Sequence, residues 1–260
     1  MKIAVCVKEV PDPGPEGRRM DRDTLRADRS GDRSINPFDL NAVEAGLRMK
    51  EAAGDGEVTL ICMGPDRALE SLRRGLGMGA DRAVLVTDEG AAGSDLVATS
   101  YVLAKALERE AADVVLFGQQ ASDSDGAVLW AAVADRLRMP VVSQIAEIEV
   151  SGSEVTARRQ TEYGYDRISA PLPAVLAVSD AVNEPRFPSL KGIMAAKKKP
   201  QEVLSLADLG VEADRAGAAG SRTTVSALHD PPSRGDTTRI EDDGSAAAQV
   251  MEYLVERKLV

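Results

Sequence analysis

The chain has 260 residues, a formal net charge of −10, one histidine and two cysteines. A chain of this length holds one large domain, or one domain with an extension, and buries roughly 70% of its unfolded surface without disulfide or metal staples. The acidic balance argues against nucleic acid as the main ligand, because phosphate backbones recruit basic surfaces, and favours partners with basic patches.

No window approaches the roughly 18 apolar residues of a membrane span, and MKIAVCVKEV enters a strand directly without the apolar region of a signal peptide. Cys6 and Cys62 sit in apolar runs with no metal spacing, which suits free buried thiols in the reducing cytoplasm. His229 lies in a polar stretch, so acid–base chemistry of the usual histidine kind has almost no candidate.

In chain order, Lys2–Lys8 reads as a strand covered on both faces, with Ile3, Val5 and Val7 alternating and Ala4 and Cys6 also apolar. A loop of about 25 residues, VPDPGPEGRRMDRDTLRADRSGDRS, follows; loops of such length inside a domain are usually functional or mobile, although a surface hairpin without consequence is equally consistent. Asn36 then stands as helix N-cap with Pro37 at the first helical position, and Leu40, Val43, Leu47 and Met49 form the apolar stripe up to Gly54. Strands at Glu57–Met63, Ala83–Thr87 and Val114–Phe117, with another beginning at Pro140–Ser143, alternate with helices over Asp66–Gly77, from Ser94 or Asp95 to about Glu110, and Ala127–Leu137. Alternation of this kind predicts right-handed crossovers and an α/β fold: a doubly wound, mostly parallel sheet with helices on both faces.

The most informative stretch is DVVLFGQQASDSDG, Asp113–Gly126. A buried strand opens at Gly118 into a small polar loop that feeds a helix, and free N–H groups with a positive dipole end suit a phosphate or ribose phosphate. An ordinary turn capped by Asp123 or Asp125 is the plainer reading.

After Ser143 the pattern changes. Ile145, Ile148 and Val150 with Val155 flank SGS as a turn, and short strands at Thr156–Gln160 and Arg167–Ala170 complete a small antiparallel excursion before PLPAVLAVSD returns a buried strand to the sheet. NEPRFPSLKGIMAAKKKP then combines three prolines with Phe187, Leu190, Ile193 and Met194 and the lysines Lys197–Lys199. A stiffened apolar tip ringed with charge suits a protein-docking loop, against a packed crossing loop with a solvated lysine run. The chain therefore divides into a nucleotide-binding α/β domain over 1–211 that includes the loop 183–199, an extended arm over 212–245, and a C-terminal helix over 246–260. That helix carries Val250, Tyr253, Leu254, Val255 and Leu259, and buries its apolar face on its own domain or, as favoured here, on a partner.

INPFDLNAVEAGL, MGADRAVLVTD, GQQASDSDG and LPAVLAV…NEPRFPSLKGIMAAKKK resemble the β subunit of electron-transfer flavoprotein, in the family's order and over essentially the whole chain. The resemblance implies a Rossmann-like fold of the adenine-nucleotide α-hydrolase group, a heterodimer with an α subunit that holds most of the FAD, and in many relatives a structural AMP. By position, AMP would lie against Cys6, Asn36, Pro37, Phe38, Asp39 and Met63, and against the loop Gly118, Gln119, Gln120, Ala121, Ser122, Asp123, Ser124, Asp125, Gly126, Ala127, Val128 and Leu129. Val128 and Leu129 depart from the glutamine and threonine with which many relatives hold the phosphate. GSDLVATS at Gly93–Ser100 is similar to a segment of electron-bifurcating members, where Asp95, Thr99 and Ser100 would face a second FAD in place of AMP; Asp95 as a helix cap is the plainer alternative. The docking loop of the family corresponds to Asn183, Glu184, Pro185, Arg186, Phe187, Leu190, Ile193 and Met194, with Leu190 as anchor.

The function so implied is an electron carrier, not an enzyme with catalytic side chains. It takes electrons from flavin dehydrogenases, such as acyl-CoA dehydrogenases, and passes them through FAD to a quinone-linked oxidoreductase. Two other readings share the fold: an ATP-using pyrophosphatase-type enzyme, which would need a serine- and glycine-rich phosphate loop where this chain has VPDPGPEG, and a nucleotide-binding stress protein without a redox role.

Overall fold

The computed structural model describes residues 1–12, 19–230, 232 and 238–260; the PGPEGR part of the long first loop and most of the Pro231–Thr237 segment lie outside them. The described chain forms two units, Met1–Val225 and Ser226–Val260.

In the first unit β1 (Lys2–Cys6), β2 (Glu9–Pro11), β3 (Met20–Asp21), β4 (Arg26–Ala27) and β5 (Arg33–Ile35) precede α1 (Pro37–Ala53). Next come β6 (Glu57–Met63), α2 (Ala68–Met78), β7 (Arg82–Val86), α3 (Leu96–Glu110), β8 (Val114–Gly118) and α4 (Leu129–Leu137). The unit continues with β9 (Val141–Ser151), β10 (Glu154–Thr161), β11 (Gly164–Pro171), β12 (Ala174–Val178), α5 (Leu190–Ala196), β13 (Gln201–Leu204) and the short α6 (Gly217–Gly220). The second unit carries α7 (Ala246–Glu256), none of whose side chains is buried.

Nine strands form one sheet in the order β11-β10-β9-β12-β8-β1-β6-β7-β13. The pairs β12–β8, β8–β1, β1–β6, β6–β7 and β7–β13 are parallel, and β9–β10–β11 is antiparallel. The fold is the expected α/β type, a doubly wound, mostly parallel sheet with an antiparallel excursion. Each central strand is apolar on both sides because each side meets a helix layer. Ile3, Val5, Leu60 and Leu116 pack with residues of α1 and α2. Ala4, Cys6, Ile61, Val84 and Val115 pack with residues of α3 and α4 on the other face. Gly46 lets α1 lie close on the sheet: a methyl group there would meet the side chains of Ile3, Val5 and Leu116 at 3.3 Å.

Three local expectations are revised. The segments begun at Pro140 and resumed at Ile145 are one strand, β9, which pairs with β12 in parallel and then turns out to pair with β10. Gln144, at φ 54°, is the hinge between these two halves, coinciding with a break in the β12 register that periodicity does not reveal. The helix expected from Ala127 begins at Leu129, because Asp125 and Ala127 take positive φ and cannot continue a helix. Finally, Glu212–Val225, read as the start of the arm, belongs to the first unit. Glu212 bonds the Tyr101 hydroxyl, Arg215 stacks 3.6 Å from the centre of the Tyr101 ring, and the Arg222 and Thr223 N–H groups donate to the Asp95 carboxylate at 2.6 and 3.0 Å. Its alanine- and glycine-rich sequence shows no apolar period because these polar contacts, with the small buried Ala216, hold it in place of an apolar stripe.

Candidate functional site

Parallel strands leave their carboxyl ends on one edge of the sheet, and Cys6, Ile61 and Phe117 stand level there by register. Just beyond lie Met63, at the end of β6, and Gly118, at the end of β8. The polypeptide that closes this edge is Asn36–Asp39, at the start of α1, together with the loop Gln119–Val128.

Asp39 holds the two together. It is only 6% exposed. Its two carboxylate oxygens accept the N–H of Lys8 at 2.7 Å, after β1, and the N–H of Gly118 at 3.2 Å, after β8. Burial raises its pKa to about 7, against the lowering effect of these N–H donors, the Asn36 side chain and the Lys8 charge. Gly118 is glycine because of this contact: a Cβ there would meet Asp39 Oδ1 at 2.5 Å and the Phe38 carbonyl carbon at 2.6 Å.

Asn36 occupies the N-cap position of α1, with Pro37 behind it, yet its side chain makes no cap. Instead its Nδ2 donates to the Gln120 carbonyl at 2.8 Å and its Oδ1 accepts the Ser122 N–H at 2.9 Å. An amide serves both directions at once, which an aspartate cap would not. The loop is further pinned by Trp130 Nε1–H, which donates to the Gln119 carbonyl at 3.1 Å, and by the Gln144 N–H, which donates to Gln119 Oε1 at 2.8 Å.

The capped-turn alternative is not what forms. The N-cap of α4 is Val128, with no side-chain cap. Asp125 accepts from Gln120 Nε2 at 3.3 Å, and Asp123 is pulled away by Lys8 Nζ at 2.7 Å and Arg29 Nη2 at 2.6 Å. The Asp123 side chain is 1% exposed; burial pushes its pKa up, but the two cations outweigh this and hold it below the usual carboxylate range. The α4 amino terminus is thus left without a side-chain cap beside strained, positive-φ residues, a combination typical of sites built for a ligand.

The buried thiols lie nearby and are inert. Burial pushes the Cys6 thiol well up, and the Cys62 thiol up to about 12. Among the described residues no group of histidine, cysteine and carboxylate side chains could hold a metal ion.

At Gly93–Ser100, Asp95 is the cap of α3, with its Oδ1 accepting the Ala98 N–H at 3.0 Å, and its other oxygen is taken by Arg222 and Thr223. Ser100 is fully buried; its hydroxyl donates to the Val97 carbonyl at 2.7 Å and accepts from Arg136 Nε at 2.8 Å.

The segment Asn183–Lys199 forms a second candidate surface. Asn183 and Asn41 exchange two bonds, Asn41 Nδ2 to the Asn183 carbonyl at 2.8 Å and Asn183 Nδ2 to the Asn41 carbonyl at 3.0 Å. Arg186 Nε donates to Glu44 at 2.7 Å and its Nη1 to Glu51 at 2.6 Å, while Arg48 Nη2 reaches the Glu184 carbonyl at 3.3 Å. After Pro188 the segment turns helical instead of staying extended, because the Ser189 hydroxyl caps α5 by accepting the Gly192 N–H at 3.0 Å. Lys199 is no part of a solvated run: its ammonium donates to the Leu76 and Ala80 carbonyls at 2.9 and 2.5 Å, closing the carboxyl end of α2.

This scaffold presents apolar side chains to solvent. Phe187 is 85% exposed, Leu190 83%, Met194 73% and Ile193 49%. Leu190, Ile193 and Met194 share one helix face by spacing. The helix rests on α2 where Gly192 meets Gly77, so closely that a Cβ at Gly192 would run into the Gly77 carbonyl oxygen. Gly192→Ala is expected to lift α5 from α2 at a cost of about 1–2 kcal/mol, seen as faster amide exchange confined to 190–196; unchanged exchange would show that the contact does not hold α5.

Lys8, Arg29, Gln144 and Trp130 escaped the sequence reading. The Lys8 and Arg29 contacts join residues more than ninety positions apart, and neither belongs to a motif. A cue existed only for Trp130, as a tryptophan one residue inside a helix that follows a polar loop.

The family model for the electron transfer flavoprotein domain matches residues 24–209. The chain is 39% identical to an electron transfer flavoprotein subunit beta of Mycobacterium tuberculosis, over 99% of each chain. It is 39% identical to another of that name from Megasphaera elsdenii, over 100% of each. A subunit of the caffeyl-CoA reductase-Etf complex of Acetobacterium woodii, CarD, is 37% identical over 97% of this chain and 98% of its own. Likeness at this level along the whole length, with the expected architecture beneath it, places the chain in the electron transfer flavoprotein family as a β-subunit member.

Proposed function

We propose that this chain pairs with an electron transfer flavoprotein α subunit, shares one FAD with it, and relays electrons from flavin dehydrogenases, acyl-CoA dehydrogenases among them, to a quinone-linked oxidoreductase. The observation that carries this reading is the exposed apolar face of α5 on a rigid base. The three large apolar side chains of that face, with Phe187 just before it, are a cost in water unless a partner covers them, and the Asn41–Asn183, Arg186–Glu44 and Gly77–Gly192 contacts fix their geometry beforehand. An exposed apolar anchor, Leu190, suits short encounters with several partners.

The bound flavin supplies the redox chemistry; no side chain of this subunit needs to transfer a proton or form a covalent bond. What the subunit contributes is binding and support. Two features of its sheet edge support an adenine nucleotide: the α4 amino terminus has no side-chain cap, and a Cβ at Gly126 would meet nothing within 4 Å. AMP is the ligand proposed there, held by Asn36–Asp39 and Gly118–Leu129 with Cys6 and Met63 beneath. Backbone N–H groups would take the role of the hydroxyl and amide donors that the side chains of Val128 and Leu129 do not offer. The setting proposed is the cytoplasm, where Cys6 and Cys62 stay reduced; no described helix is long and apolar enough to cross a membrane. The exposed Val250, Tyr253 and Val255 of α7 are proposed to pack on the α subunit.

Leu190→Ala tests the relay. Removing a side chain buried only at the encounter is expected to lower kcat/KM for reduction by a partner dehydrogenase about tenfold, with FAD content and heterodimer intact. Unchanged rates with every donor would sink the docking role.

The resemblance of GSDLVATS to a segment of electron-bifurcating members favours one second reading, a bifurcating β subunit with a second FAD in place of AMP. The engagement of Asp95 and Ser100 within the protein speaks for AMP. Denaturing the purified heterodimer and quantifying released cofactors decides between them: one FAD with about one AMP supports the carrier, two FAD without AMP the bifurcating subunit.

A further inference from the structure

The segment between β2 and β5 carries Arg29, the second cation on Asp123. Residues 19–33 carry the small hairpin of β3 and β4, pairing Met20 with Ala27 and Asp21 with Arg26. Its ends are tied back near β1: the Asp12 N–H donates to the Asp32 carbonyl at 2.8 Å and the Asn36 N–H to the Lys8 carbonyl at 2.9 Å.

Between these ties the segment reaches two loops that are not neighbours. Arg26 lies against Gly93, in the loop after β7, where a Cβ would come within 2.6 Å of Arg26 Nη2. Arg29 Nη2 bonds Asp123 Oδ2 at 2.6 Å, in the loop after β8. In the sheet, β1 and β6 stand between β8 and β7. Three strand spacings separate the two attachment points, roughly 14 Å at about 4.8 Å each. The segment therefore runs from the loop after β8 to the loop after β7, across the carboxyl ends of β1 and β6 and past the β8–β1 switch point at which an open α/β sheet places its ligand.

The Arg29 contact is built to hold and to release. Asp123 is sequestered and keeps Lys8 as a partner when Arg29 leaves, so opening strands no buried charge. Arg29 itself is 40% exposed and rehydrates readily. Gly93, at φ +86°, supplies the flat seat for Arg26 that a side chain would fill.

We infer that residues 19–33 form a strap across the nucleotide crevice, latched by Arg29 on Asp123, and that this latch sets how slowly a bound adenine nucleotide leaves. Arg29 is thus a positioning residue acting through Asp123 and the strap. The inference rests on the nucleotide reading proposed above and adds to it the route of exchange.

The test uses the heterodimer of this chain with its α subunit, exchanged with radiolabelled AMP, desalted, and chased with unlabelled AMP. Loss of a charge-assisted bond predicts that Arg29→Ala releases AMP about tenfold faster or more. Arg29→Lys should restore part of the slow release, and amide exchange in 19–33 should quicken in Arg29→Ala even without nucleotide, at an unchanged melting temperature. Equal release rates in wild type and Arg29→Ala, with AMP taken up by both, overturn the latch while the nucleotide site stands. A wild-type heterodimer that takes up no AMP overturns the site and the latch together.

Discussion

Gly118→Ala is expected to destabilise the protein by about 3 kcal/mol, the upper end for overpacking, and to lower the apparent Tm of the heterodimer by roughly 6–12 °C. The added methyl meets groups that cannot step aside. The Phe38 carbonyl carbon, 2.6 Å from the Cβ position, is main chain in the first turn of α1. Asp39 Oδ1, 2.5 Å away, is held by the N–H bonds that join the ends of β1 and β8. Relief requires either α1 to withdraw or Asp39 to leave its donors, and either movement also displaces Asn36 from the Gln120–Ser122 loop. The variant should lose bound nucleotide together with stability. Melting of wild type and variant side by side, with cofactor content measured on each, checks both effects; a fall below about 1 kcal/mol would mean that the strand end relaxes freely.

Asp39→Asn is expected to cost about 2 kcal/mol near pH 5 and less near pH 8. Both Asp39 oxygens accept backbone N–H groups, so an asparagine must turn its NH2 toward one of them and leave a buried donor unsatisfied. The wild-type carboxyl has its own cost. Its pKa is raised to about 7 in the folded chain, from near 4 when unfolded, so between these values the folded state holds a proton that the unfolded state has lost. The stability this group contributes is fully present below about pH 4 and is lost as pH rises through about 7. Asparagine has no such slope. The gap between wild type and variant therefore narrows with pH, which cancels the titration of every other group; a gap that widens from pH 5 to pH 8 would contradict a raised Asp39.

Much of this was written locally. The alternation of apolar strands with helices gives the parallel core because period-2 and period-3.6 patterns commit each segment before any partner is chosen. The glycine at the end of β8 and the small polar loop after it announce a strand opening onto a helix. The apolar residues of Phe187–Met194 were legible as a surface feature because charge and proline surround them. The resemblance of NEPRFPSLKGIMAAKKK supplied the family from the sequence alone.

Other features depend on who meets whom. Asn36 stands in a cap position, but its amide is spent on a loop 84 residues away. Asp123 reads as a cap and becomes the partner of two distant cations, Lys8 and Arg29. Lys199 reads as one more solvated lysine and closes α2. Asp39 has an ordinary place in a first helical turn, and only burial between two strand ends moves its pKa to about 7. Sequence fixes the periodicity and turn chemistry of each segment, since these act within a few residues. The partner of a polar side chain, and so its ionisation and its role, is decided by packing that brings remote segments to one sheet edge, where desolvation and a single nearby charge outweigh any local preference.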